Sequence, residues 1–128
     1  MTTEVQTAID EIRQTFEGHE IRVEADGQGG AHVTVNALPI GNQYTPSISW
    51  FGFTIPFQYP RADVYPHFID PTVRRINGQA LGQGFSGPTT WRNAILAIQL
   101  SRRSNRWDPA NDTAAGKLLK VLEWVRKQ

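Results

Sequence analysis

An α+β fold, in which helices cover one face of an antiparallel sheet, is what this chain of 128 residues predicts. Three observations lead there. Apolar residues at helical spacing open and close the chain, two-residue alternation fills the stretch after the first helix, and the strands come in a run. Parallel βαβ units would need helices between those strands. The length suits a single domain, residues 1–128, with one core.

Val5, Ala8, Ile9, Ile12 and Phe16 repeat along one helical face, with Thr2 or Thr3 as cap and Gly18 placed to stop the helix. Ile21, Val23 and Ala25 then alternate with Arg22 and Glu24, and Ala31, Val33 and Val35 alternate with His32 and Thr34. Asp26 to Gly30 supplies the turn of this antiparallel hairpin. A third strand is expected within Ser47 to Phe57, making a meander of three to four strands. Pro56, Pro60, Pro66 and Pro71 lack ladder donors, so Ile55 to Pro71 is expected to follow the sheet edge, with one short strand near Val64 to Ile69. Asn77 to Pro88, with four glycines and no period, reads as a long loop. Two C-terminal helices follow. The first is capped by Thr89 or Thr90, carries Trp91, Ile95 and Ile98 and ends at Arg102 and Arg103. The second starts at Pro109 or Asp112 and buries Leu118, Val121, Leu122 and Val125.

The formal net charge is +1, with 39% hydrophobic and 20% charged residues, so no global field points to nucleic acid or a membrane. The N-terminus lacks the basic and then apolar regions of a secretion signal, and a cytoplasmic location is expected. With no cysteine there is neither a thiolate nucleophile nor a thiolate metal site, which leaves hydroxyls, carboxylates, His and Lys. His19, His32 and His67 show no metal-binding spacing, so neither a metal nor another cofactor is expected.

After the third strand stands Pro56-Phe57-Gln58-Tyr59-Pro60, and the tail carries Trp91, Ser101-Arg102-Arg103, Trp107-Asp108-Pro109 and Asp112. In element order and in these motifs the chain resembles the ubiquitin-conjugating enzyme superfamily, and more narrowly its prokaryotic members found with bacterial ubiquitin-like proteins. The resemblance implies a ubiquitin-conjugating-like fold, with a ubiquitin-like protein and its activating enzyme as partners. It also implies contacts through the polar side of the opening helix (Glu4, Glu11, Arg13), through Tyr59 and Tyr65 of the proline segment, and through the Asn77–Pro88 loop. The family's His-Pro-Asn element and cysteine are missing. Between Ile69 and Gly87 the only hydroxyl side chains are Thr72 and Ser86, so thioester transfer is excluded.

That leaves three readings. The first is a cysteine-less binding protein of the modification pathway. The second is a transferase carrying the modifier as an oxyester on Ser86, assisted by His67 or Asp70. Gly84-Phe85-Ser86-Gly87 departs from a nucleophile elbow in both spacing and context, and a serine needs an adjacent base. The third is an anion- or nucleic-acid-binding module built on Arg102, Arg103, Arg106 and Trp107, although Trp107 before Asp108-Pro109 also suits an anchor of the interhelix turn. Nucleic acid is the less expected partner. Strand alternation also sends Trp50 to one sheet face and Phe51 and Phe53 to the other, so whichever face the helices leave open needs another cover. The proline segment or a partner protein is expected to supply it.

Overall fold

A computed structural model describes residues 1–128. Helix α1 (Thr3–Thr15) starts where the Thr2 hydroxyl accepts the Val5 N–H at 3.1 Å, and it buries Val5, Ala8, Ile9 and Ile12. Strands β1 (Ile21–Ala25) and β2 (Ala31–Pro39) form the expected hairpin. Its turn closes because Asp26 Oδ1 accepts the N–H groups of Gln28 (2.8 Å) and Gly30 (2.9 Å). Strand β4 (Ile48–Ile55) pairs with β2, while the two-residue β3 (Tyr44–Thr45) pairs with β6 (Arg74–Arg75) in a separate small ladder. Strands β5 (His67–Ile69), β7 (Phe85–Trp91) and β8 (Ile95–Leu100) complete an antiparallel sheet of order β1-β2-β4-β5-β8-β7. Helix α2 (Ala114–Lys127) closes the chain, capped by the Thr113 hydroxyl.

The architecture is α+β, but the sheet has six strands, with a separate two-stranded ladder, where a meander of three to four was expected, and three further expectations need correction. Residues 85–100 are a β-hairpin, so a single helix follows the sheet in place of two. Trp91, Ile95 and Ile98 satisfy helical spacing, but Arg92 and Asn93 both adopt positive φ (60° and 56°), which ends any helix there and reverses the chain. Thr89, Thr90, Trp91, Ile95 and Ile98 are residue types that favour strands, and tertiary pairing with β5 decides the outcome. Second, the glycine-rich loop stops at Gly84, because Phe85 already pairs with Leu100. Third, the short strand expected in the proline segment exists but is internal, lying between β4 and β8. Pro66 stops just short of it, so no ladder donor is lost.

Both helices lie on one face, where Val33, Val35, Phe51, Phe53, Ile55, Ile69, Ile98 and Leu100 meet Val5, Ile9, Ile12, Leu118, Leu122 and Val125 in the main core. The proline segment is tied down beneath α2. The Tyr59 hydroxyl accepts the Ala114 N–H at 3.1 Å, and Trp107 Nε1 donates to the Pro60 carbonyl at 2.6 Å. No helix is long and apolar enough to cross a membrane.

Candidate functional site

The open face of the sheet is covered by its own far edge. Of β8, only Ile98, Gln99 and Leu100 pair with β5, so the tip of the β7–β8 hairpin is free to leave the sheet plane and fold back over β4. The Arg92–Glu24 ion pair records this, because it joins the tip to β1 at the opposite end of the strand order. Beneath the tip, Trp91 stacks on Phe68 (ring centroids 5.5 Å apart) and on Trp50 (6.4 Å), and its Nε1 reaches Thr54 Oγ1 at 3.4 Å. Within the chain, the cover for Trp50 is therefore this hairpin and not the proline segment. Gly52 makes the approach possible, since a Cβ there would stand within 3 Å of the Trp91 ring.

Between the tip and the β1–β2 surface remains an open cleft of about 540 Å³, lined by Arg22, His32, Asn36, Trp50 and Arg92 among others. His32 Nδ1 lies 2.8 Å from Thr54 Oγ1. Burial, helped by the nearby Arg92 charge, lowers its pKa, so the ring is neutral at physiological pH. Sequence reasoning missed this cluster. Its legible signal was a pair of tryptophans, Trp50 and Trp91, each adjacent to a strand-forming run.

Strand register decides the fate of the residues expected to act as a transferase. Phe53, His67, Leu100 and Phe85 lie opposite one another across β4, β5, β8 and β7, and Phe53 and Leu100 belong to the helix-side core. The adjacent row is Gly52, Phe68, Gln99 and Ser86, on the other face. His67 and Ser86 therefore point to opposite sides of the sheet. His67 is fully buried against Phe53, neither ring nitrogen has a hydrogen-bond partner, and burial together with the Lys117 charge pushes its pKa down to about 3. Asp70 uses Oδ1 to accept both the N–H and the hydroxyl of Thr72 at 2.7 Å, a local turn. Ser86 is exposed beside the bulge at Gly87, next to a shallow groove that includes Pro71, Leu81 and Pro88.

Of the residues expected to meet a partner, Glu4, Glu11 and Tyr59 come together. They line one groove of about 290 Å³ between α1 and the Pro109–Thr113 segment. Arg13 is exposed elsewhere on α1, and Tyr65 instead packs under Arg103, whose guanidinium carbon lies 4.5 Å from its ring centroid. Arg102, Arg103 and Arg106 share a cavity, but Trp107 is absent from its lining, being turned toward Tyr59 and Pro60. Trp124 takes that place, with Arg102 4.8 Å above its ring. The three histidines lie apart: His19 Nδ1 is 2.9 Å from the Asn36 carbonyl, His32 sits under the hairpin tip, and His67 is in the core.

Sequence reasoning also missed the ion pair under this cavity. Lys117, 4% exposed, donates to both Asp63 oxygens at 2.9 Å and to Ser104 Oγ at 2.7 Å. Burial by itself would raise the Asp63 carboxyl, but the Ser104 N–H and the Lys117 ammonium outweigh it and hold the pKa below the ordinary value. The visible signal was Lys117 at i−4 from Val121, inside an apolar stripe.

No protein-family model, no curated protein and no solved structure matches this chain.

Proposed function

We propose that the protein is a recognition module of a bacterial ubiquitin-like modification pathway, binding the ubiquitin-like protein or its activating enzyme without itself carrying the modifier. The pathway rests on the sequence resemblance: the Tyr59-Pro60 element after the third long strand, the tail motifs, and the missing cysteine. The observation that carries the recognition reading is the groove that Glu4 and Glu11, two turns apart on one helical face, line together with Tyr59. Two carboxylates lining a common groove suit a basic partner surface. Against the transfer reading, His67 lies on the opposite face of the sheet from Ser86 and Asp70 is engaged by Thr72, and a serine hydroxyl without an adjacent base is poorly ionised near neutral pH.

Calorimetric titration with a purified bacterial ubiquitin-like protein and with its activating enzyme tests this. Saturable binding to one of them is expected, weakened roughly tenfold or more in the Glu4→Arg/Glu11→Arg double variant by like-charge repulsion. With ATP present, the intact mass of the chain should stay unchanged. Absence of binding to both sinks the proposal, and an alkali-labile adduct that disappears in Ser86→Ala replaces it with the transferase reading.

A further inference from the structure

Between the segment Arg102–Arg106 and one face of α2 lies a cavity of about 320 Å³. Its floor is electrically quiet, because Lys117 is matched by Asp63. Its rim is not. Arg102, Arg103, Arg106 and Lys120 line it against a single lining carboxylate, Asp112, in a chain whose whole formal charge is only +1. Asp112 does little to offset them: Oδ2 accepts the Asp108 N–H at 2.8 Å, and Oδ1 is 3.8 Å from a Lys120 side chain that is 74% exposed.

None of the three arginines forms an ion pair. Two are held in place by stacking, Arg102 over Trp124 and Arg103 over Tyr65, which fixes the guanidinium while leaving its N–H fork without a carboxylate. Like charges gathered around a concavity repel one another and focus a positive field into it, an arrangement that a bound anion relieves. Planar forks converging from several sides suit the oxygens of adjacent phosphates better than a lone carboxylate.

We propose that this cavity binds a compact oligophosphate, a group with at least two adjacent phosphates, through Arg102, Arg103, Arg106 and Lys120. A single-stranded nucleic acid fits less well, because such sites stack bases on free aromatic faces. Here Trp124 is already stacked on Phe85 (4.9 Å) and under Arg102, while Trp107 packs toward Tyr59. The phosphates can come from a free oligophosphate or from a nucleoside di- or triphosphate. The chemistry read at the cavity is the same.

The test is calorimetric titration of the full chain with sodium tripolyphosphate, ATP and AMP at low salt, followed by amide-resolved NMR with tripolyphosphate. Tripolyphosphate should bind at one site, shifting the amides of Arg103 to Arg106 and of Lys117 to Val121, and AMP should bind at least about tenfold more weakly. Arg103→Gln and Arg106→Gln should each weaken tripolyphosphate about tenfold. Arg74→Gln, which removes an exposed charge on β6, should leave it within about twofold. ATP equal to tripolyphosphate assigns recognition to the phosphate chain alone, and tighter ATP adds a contact to the nucleoside; both uphold the site. The proposal is overturned if tripolyphosphate does not bind, if Arg74→Gln weakens it as much as Arg103→Gln, or if an oligothymidylate of equal phosphate content binds more tightly than tripolyphosphate.

Discussion

Replacing Gly52 with alanine probes the folded-back hairpin directly. A methyl group in a strand normally gains about 0.5–1 kcal/mol over glycine by restricting the unfolded chain. At Gly52 the added Cβ would lie 2.8 Å from Trp91 Cη2 and 2.9 Å from Cε3, closer than carbon atoms approach. The ring has little room to yield, being wedged by Phe68 and Trp50 and hydrogen-bonded to Thr54. Overpacking of that kind costs about 1–3 kcal/mol, so Gly52→Ala should be net destabilising by about 1–2 kcal/mol. Trp91→Ala alone should cost about 3 kcal/mol, as loss of a buried indole does. In that background the three atoms nearest the added Cβ are gone, and Gly52→Ala should turn stabilising. Urea denaturation followed by far-ultraviolet circular dichroism on all four proteins closes the cycle, with an expected coupling of about 2 kcal/mol. If Gly52→Ala stabilises the parent chain as it does the Trp91→Ala chain, the hairpin tip does not rest on β4 in solution.

The buried His67 sets an acid limit on stability. Its folded pKa, about 3, lies below the ordinary 6.5, so the unfolded chain binds the extra proton first. Stability from this group is complete above pH 6.5 and is lost as pH falls toward 3. Between pH 7 and pH 4.5 the loss should be about 2–3 kcal/mol. His67→Leu, which fills similar space and removes two unpartnered nitrogens, should abolish that part of the pH slope without loss of stability at pH 7; an unchanged slope in urea melts at the two pH values would refute the assignment. Lys117→Met should cost about 3 kcal/mol by leaving Asp63 under α2 without its counter-ion, and adding Asp63→Asn should restore more than about half. Equal losses in the single and double variants would show that the pair is not coupled.

Helix α1 and the β1–β2 hairpin were legible because each has one apolar face and one polar one, so only one period fits Val5 to Phe16 and only the other fits Ile21 to Val35. Strand β8 is apolar on both sides: Ile98 and Leu100 face the helices, Ile95 and Ala97 face the hairpin cluster, and Leu96 near the tip is exposed. Apolar residues then follow one another without a two-residue rhythm, and a helix fits them as well as a strand. The deciding information is β5, a three-residue strand nearly thirty positions away that no local pattern in 95–100 encodes.

The candidate sites divide along the same line. Glu4 and Glu11 could be put on one face from spacing alone, whereas the separation of Ser86 from His67 depends on the β5–β8–β7 register. A slip of one residue in β7 would exchange its two faces and bring Ser86 to the His67 side. Phe85 is what prevents it. Its ring is stacked on Trp124 at 4.9 Å and packs beside Tyr44, whose hydroxyl donates to the Val125 carbonyl, so the β7 side chain facing the helices is held by α2 itself. The bulge at Gly87 comes after Ser86 and leaves that parity untouched. The aromatic contact that orders the start of β7 is thus also the one that keeps its serine away from the buried imidazole.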